Sequence, residues 1–416
     1  MTRQASRISV RHLLVTVGPR AFGLGSVALN LVAAQRALGM DSEIWCLDTP
    51  EDVRWALDNV ELPPEAVRAF PRVGPGFLGY SRDLAVALTG PEGARIDVIH
   101  QHGIWTGISP AANGWRRAHG GPTVLAPHGA LEAWALKRSA WKKWLASLAY
   151  ENENLQNAAC MHATSLPEME GFVRYGVDRP IALIPNGFPE GWISTDNGAE
   201  RFRTQFGVAD DMRIMLYVGR VTPVKNLVAF LEAMAMQREK LARWVLFVVG
   251  KDEFGYLKAF EQTVDRLDLT SHVRAVGFLD DPELKRDAFA AASFFVLPSI
   301  REASPIVVLE ALGAGIPVLT TEGAPWPELE TQKCGWWCGV DADSLSRSLC
   351  RALQASPAEL RSMGARGREL VRGRYTWSAI ATDTRAVYSW LLDGGRRPER
   401  VFLPNAGSWS SGVLSS

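Results

Sequence analysis

Residues 293–321 read SFFVLPSIREASPIVVLEALGAGIPVLTT, and their order decides the fold. SFFVLPS is a short, near-continuous apolar run, as is IPVLTT at the far end. Between them, Ser304 followed by Pro305 reads as a helix start: a side-chain cap, then a first residue whose φ is preset. The helix runs through IVVLEAL and stops at Gly313 or Gly315. Two buried strands flanking a helix signal a parallel sheet covered on both faces.

The same cadence recurs outward along the chain. HLLVTVG, IDVIHQHG, TVLAPHG and IALIPNG lie in the first half; RIMLYVG, WVLFVVG and VRAVGF lie in the second. The repetition predicts an α/β protein of two doubly wound sheets, one per half. A length of 416 residues exceeds one comfortable core and agrees with two domains. Asn186 to Asn197 (NGFPEGWISTDN) carries turn residues without a period and marks the seam. The expected division is 1–188 and 189–376, followed by an amphipathic helix, 377–393. The stretch 394–416, rich in Gly, Ser and Pro, reads as disordered.

Composition narrows the function. Hydrophobic residues make up 47% and charged residues 22%, the balance of an ordinary folded chain. Forty-five basic residues balance 45 acidic ones, which argues against wrapping nucleic acid. Five cysteines without secreted-type spacing point to a reducing compartment. MTRQASRISV lacks the apolar core of a signal peptide, and no uncharged apolar run is long enough to span a bilayer. A cytoplasmic location follows as the expectation.

Two carboxylates stand out in the opening stretch. Glu302 lies in the loop beyond a buried strand, and Glu310 lies on a helix of Ile, Val, Leu and Ala. A carboxylate buried there needs donors, and ribose or hexose hydroxyls are suitable ones. Ligands of open α/β sheets bind in this place, beyond the carboxyl ends of the strands. The bland alternative makes Glu310 a rim residue and Glu302 a polar loop residue. In YVGRVTPVKNL (217–227), Thr222 and Pro223 form a second cap-and-start pair. Lys225 then falls in the first helical turn, where a cation opposes the helix dipole unless an anion sits between it, Arg220 and the amides. A diphosphate meets that need. The alternative leaves Lys225 in water and Arg220 paired with a surface acid.

The first half offers less specific signals. Gly18, Gly23 and Gly25 form a loop after the first strand, able to approach a phosphate or sugar. With Asp48 after the next strand it imitates a dinucleotide fingerprint. His100, His102 and His128 sit at strand ends, without the neighbouring ligand spacing that completes a metal site, or else as structural histidines. ALEAWALKRSAWKKWLASLAYEN (130–152) reads as one amphipathic helix whose Trp134, Trp141 and Trp144 lie among lysines. That composition suits a membrane interface, and equally a core face opposite a solvated one. Cys334 and Cys338 read as free thiols, and Asp341 as a helix cap rather than a metal ligand.

EASPIVVLE, two glutamates separated by seven residues, resembles the signature of retaining glycosyltransferase family 4. Gly219, Arg220, Lys225 and Asn226 resemble the same family's Gly-Arg…Lys-Asn element. YTWSAI, Tyr375 to Ile380, resembles the start of its terminal helix, which crosses back onto the first domain. The family usually has Phe-Gly after the first glutamate, where this chain has Ala-Ser-Pro, and adjacent glycines where Leu24 separates Gly23 from Gly25. The resemblance implies a GT-B fold, with two Rossmann-like domains facing across a cleft. It implies metal-independent transfer of a hexose, with retention, from a UDP- or GDP-type sugar to a glycan or lipid-linked acceptor, in polysaccharide or glycolipid assembly. No cofactor beyond that donor is expected. By the same resemblance Glu302 binds the transferred sugar and Glu310 the ribose. Arg220 and Lys225 hold the diphosphate, and His128 lines the cleft near the sugar. Gly23, Gly25, Ser304, Pro305 and Ile306 belong to the donor site, and His102 to the acceptor side. The region 131–150 is the candidate for peripheral membrane contact, at the inner face of the cell membrane. Three other readings stay open: an inactive GT-B binding protein, a phosphorylase or epimerase of the same fold, and an NAD-dependent enzyme using the first glycine-rich loop.

Overall fold

The apolar runs form strands because burial on both faces favours residues that pack a pleated surface, and helices cover both sides. The computed structural model describes residues 7–18, 23–58, 60–74, 79–188, 197–302 and 305–404. The chain divides into two units, Met1–Gly187 together with Trp377–Ser416, and Phe188–Thr376.

The first unit carries β1 (Ser9–Leu14), β2 (Asp41–Cys46), β3 (Val67–Ala69), β4 (Val98–His102), β5 (Thr123–Ala126), β6 (Cys160–Ala163) and β7 (Ile181–Leu183). The second carries β8 (Arg213–Val218), β9 (Trp244–Val249), β10 (Val273–Gly277), β11 (Phe294–Leu297), β12 (Val318–Thr321) and β13 (Gly335–Cys338). In each, the order runs third, second, first, fourth, fifth, sixth, all parallel: β3-β2-β1-β4-β5-β6-β7 and β10-β9-β8-β11-β12-β13. This is the doubly wound order, with a switch point between β1 and β4 and another between β8 and β11. Ile214, Leu216, Phe230, Phe247, Phe295 and Val318 are among the buried side chains that fill the second core.

Helix ends follow local chemistry. Ser165, Asp281, Asp341 and Ser356 each accept a backbone N–H of the first turn through their side chains. Gly120 and Gly176 close helices in the left-handed conformation. The helix Trp377–Asp393 belongs to the first unit and packs on Gly23–Ala37.

Two sequence expectations need correction here. The stretch taken as disordered from residue 394 contains β14 (Val401–Phe402), which pairs antiparallel with β7. Val401 is buried, and Leu183 donates its N–H to Arg400 O at 2.8 Å. A composition rich in turn residues hid a two-residue strand that gains its partner only in the fold; residues 405–416 lie outside the described ones. The predicted single helix across 130–152 is broken. It comprises helices Ala133–Lys137 and Ala140–Ala146, a π turn Ser147–Glu151 and a helix Asn152–Gln156. Arg138 is extended and Ser139 left-handed, φ 54°, and together they interrupt the hydrogen-bond ladder.

Val401→Asp buries an unpaired carboxylate under this added strand, and is expected to cost about 2–3 kcal/mol of stability in urea denaturation. An unchanged midpoint would mean that β14 contributes nothing to the first unit.

Candidate functional site

In the second unit, the loops leaving β8 and β11 flank the switch point. They are tied together by Ile300 N–H donating to Val224 O at 2.9 Å. Gly219 and Arg220 follow β8 directly, and Tyr217 Oη donates to Arg220 O at 2.7 Å. A Cβ on Gly250, at the end of β9, would lie 1.7 Å from Gly219 O, so glycine is required for this close approach. Pro223–Lys225 form a 3-10 turn, and Asn226 takes φ 58° before the helix Leu227–Met236 begins. Lys225 therefore precedes the helix instead of sitting in its first turn. The Thr222 hydroxyl makes no capping bond either; it is buried without a partner among the described residues.

Lys225 and Glu302 meet. Lys225 Nζ lies 2.5 Å from Glu302 Oε1, with each side chain 13% exposed, and Ser299 Oγ donates to the same oxygen at 2.6 Å. The Glu302 N–H is held by Gly323 O at 2.7 Å. Arg220 and Glu310 have partners that sequence reasoning did not single out. Arg220 is largely exposed and pairs with Glu253 at 2.6 Å. Glu310 is 12% exposed and pairs with Lys285 at 2.8 Å. Its donor is thus already supplied from the helix Pro282–Ala291, a partner 25 residues away that no local period reveals. Pro305 is the extended residue ahead of the helix Ile306–Gly313, so Ile306 is its first residue. Ser304 lies outside the described residues.

In the first unit, Gly23 and Gly25 lie within the helix Gly23–Ala37 rather than in the loop before it, so they open a helix whose first amides have no partner within it. Asp48 Oδ2 accepts Val17 N–H at 2.5 Å. The acid of the dinucleotide-like pattern thus uses one carboxylate oxygen to hold the first loop.

The histidines gather into a cluster that includes His12 and His162, which the sequence reading passed over. His12 and His100 are register partners on adjacent strands, β1 and β4. His100 and His102, two apart on β4, share a face. His128 follows β5 with a left-handed φ of 52° and is half-buried. His102, expected to face an acceptor, is buried with both ring nitrogens engaged, by His12 at 2.9 Å and His128 at 3.1 Å. Facing atoms of His12, His100 and His102 lie within 4.8 Å of one another, a spacing that a metal ion can use. The only sequence signal for His12 and His162 was a polar ring on an otherwise buried strand.

Burial lowers His12, His128 and His162 to about 4. It holds His100 and His102 well below the ordinary histidine range, with the neighbouring rings adding repulsion. Because the folded values lie below the unfolded one, this stability is complete above about pH 6.5 and is lost as pH falls toward 4. His12 alone is expected to cost about 2 kcal/mol at pH 5 relative to pH 7.5, a difference that urea denaturation at the two pH values measures. Equal stabilities at the two values would mean that these rings take up protons as readily in the fold as in the unfolded chain.

The sequence matches two family descriptions end to end: Glycosyl transferase 4-like domain over residues 22–187, and Glycosyl transferases group 1 over residues 198–370. It is 30% identical over 184 residues, 43% of the chain, to Lipopolysaccharide glucosyltransferase WaaG of Escherichia coli (strain K12). It is 26% identical over 409 residues, 91% of the chain and 85% of the relative, to D-inositol 3-phosphate glycosyltransferase of Streptomyces avermitilis. Against WaaG and similarly matched relatives, the chain spans about half of the curated protein's length, 48% for WaaG itself. Among solved structures, Anabaena Alr3699/HepE in complex with UDP superposes with a TM-score of 0.71 at 18% identity, covering 92% of this chain and all of that one. Sucrose-phosphate synthase from Thermosynechococcus elongatus gives 0.67 at 23% identity, covering 94% and 100%. These likenesses establish the GT-B fold.

Proposed function

Because the chain belongs to the group 1 glycosyl transferases, with a glycosyl transferase 4-like domain ahead of the group 1 domain, we propose that it transfers a hexose from a nucleoside-diphosphate sugar. The transfer proceeds with retention and without a metal, onto a glycan or lipid-linked acceptor. One observation carries this reading. Lys225 and Glu302, from the two loops flanking the second switch point, come together where doubly wound sheets bind nucleotides.

The residues divide the work by charge. Arg220 and Lys225, with the amides of the turn between them, offset the charge that develops on the departing diphosphate. The Arg220–Glu253 pair is a surface ion pair worth about 0–1 kcal/mol, so a diphosphate displaces Glu253 at little cost. Glu302, held by Ser299 and its own backbone, accepts hydroxyls of the sugar, and Glu310, steadied by Lys285, accepts those of the ribose. In this front-face reaction the donor phosphate takes the acceptor's proton. Relatives of the chain carry glycosyltransferase names, and a protein of the same fold has been solved with UDP-glucose.

Thermal-shift titration with UDP, GDP, ADP and NAD tests the reading. One nucleoside diphosphate is expected to stabilise the protein, and Glu310→Ala to weaken it by about tenfold or more, the loss of charge-assisted hydrogen bonds worth about 1.5–3 kcal/mol. Stabilisation by NAD alone would overturn the proposal.

The acceptor is read from the first unit. Trp141 and Trp144 are 66% and 62% exposed, and Leu145 and Leu148 are exposed beside them, so these side chains are not core. With Lys142 and Lys143 interleaved, the surface suits the headgroup region of an anionic membrane. A place on the inner face of the cell membrane, beside a lipid-linked acceptor, follows. Among the described residues no helix is long and apolar enough to cross a membrane. Co-sedimentation with anionic vesicles is expected, and Trp141→Ser with Trp144→Ser should abolish it; failure of the wild-type chain to sediment would remove the membrane contact.

A further inference from the structure

Seven hydrogen bonds form one continuous chain through the first unit. It runs from His128 through His102, His12, Gln35, Tyr388, His100 and His162 to the carbonyl of Ile184. Its direction follows from its far end. A carbonyl only accepts, so His162 Nε2 carries the proton it gives to Ile184 O at 2.8 Å. In a neutral ring His162 Nδ1 is then bare and accepts from His100 Nε2, 3.2 Å away. His100 Nδ1 in turn accepts the Tyr388 hydroxyl proton at 2.7 Å. With its proton spent, Tyr388 accepts from the Gln35 amide nitrogen at 3.3 Å. Gln35 Oε1 must therefore face His12 Nε2, 2.8 Å away, and it also accepts from Ser42 Oγ. His12 Nδ1 accepts from His102 Nε2 at 2.9 Å, and His102 Nδ1 from His128 Nε2 at 3.1 Å.

Thr384 closes the one side branch without conflict. Its hydroxyl donates to Ala381 O at 3.0 Å and accepts from the second Gln35 N–H at 3.2 Å. Turning the Gln35 amide over would leave His12 Nε2 facing an N–H donor and Tyr388 with two acceptors for one proton. Every ring is thus assigned the same neutral form, protonated on Nε2.

We propose that this chain fixes His128 as a neutral acceptor, its bare Nδ1 presented at the carboxyl end of β5 to a substrate hydroxyl, and that His102, His12 and Gln35 are positioning residues for it. The substrate part rests on the proposed function; the proton assignment does not. Nδ1 of His128 has no partner among the described residues, and it is absent from the buried atoms left without one, so it is open to a ligand. Burial keeps the rings uncharged, which the assignment requires. Aligned donors polarise one another along the chain, so the order at Ile184 is felt at His128. The metal alternative must break these bonds: one edge of the candidate triad, His12 Nδ1 to His102 Nε2 at 2.9 Å, is already bridged by one proton.

The test begins with the wild-type protein. Long-range 1H–15N correlation spectra of 15N-histidine-labelled enzyme at pH 7 are expected to show His12, His100, His102, His128 and His162 as neutral Nε2–H rings, unchanged by EDTA. A cationic ring, an Nδ1–H ring, or stoichiometric zinc on the purified protein would overturn the inference. Two variants then separate proton order from packing. His102→Phe keeps the ring and loses both hydrogen bonds, whereas His102→Gln loses the ring but keeps one donor and one acceptor. His102→Phe is expected to mix the His128 tautomers and lower kcat by about tenfold or more, with the affinity for UDP or GDP unchanged and His102→Gln recovering most of the rate. A Phe variant that outperforms the Gln variant would make the role one of packing and overturn it. Should either variant fail to fold, the wild-type spectrum still decides. Absence of sugar transfer by the wild-type chain would sink the proposed function and leave the spectrum to judge the proton assignment.

Discussion

A single backbone hydrogen bond, Ile300 N–H to Val224 O, joins the loop after β8 to the loop after β11. The two strands are neighbours in the sheet, yet their following helices leave on opposite faces, so nothing else in the topology obliges these loops to meet. Once they do, Lys225 comes within reach of Glu302, and Ser299 fixes the same carboxylate oxygen. The loop geometry upstream is prepared for this: Gly250 admits Gly219 O at a distance no side chain tolerates, and Tyr217 holds Arg220 O. The charged side chains of the site are thereby placed by backbone constraints rather than by their mutual attraction.

Those charges are also satisfied. Each of Arg220, Lys225, Glu302 and Glu310 has an opposite charge within hydrogen-bonding distance. The pairs differ in what they tolerate. Arg220–Glu253 stands in solvent, where exchange of one anion for another costs little. Lys225–Glu302 and Lys285–Glu310 are mostly shielded, so removing one partner leaves a charge in poor solvent. Of the three pairs, Arg220–Glu253 is therefore the one that an incoming anion opens at least cost.

The sequence reading was strongest where a pattern is local. Near-continuous apolar runs marked β1, β4, β5, β7, β8, β9, β11 and β12 because a strand buried on both faces admits little else, and VRAVGF marked β10 although that edge strand is largely exposed. Asp341 as a cap was legible for the same reason, the N–H it accepts lying three residues ahead, on Ser344. β13 was missed: GWWC begins with glycine, sits at a sheet edge and was read for its cysteines instead. The start of the helix after Thr222 was misplaced because Asn226 adopts a left-handed φ, a choice made by the closing of the loop and not by its residues. Lys285 and Glu253 were invisible because each reaches the site from an element of its own. The histidine chain was half visible. His100, His102 and His128 drew attention at strand ends, while His12, His162 and Tyr388 join them only across the sheet and through the returning helix.

That helix has a consequence for the order of events during synthesis. The second unit is one uninterrupted stretch, Phe188–Thr376, and has all its strands once that stretch has left the ribosome. The first unit does not, although it begins earlier. Gln35 waits for Thr384 and Tyr388, 349 and 353 residues downstream, and the edge of β7 waits for Val401. The amino-terminal unit is thus completed after the second, holding an uncovered sheet face and unpaired polar rings until the residues from Thr384 to Val401 are made. Nascent-chain truncations ending before Thr384 would expose that interval, during which a chaperone has most to shield.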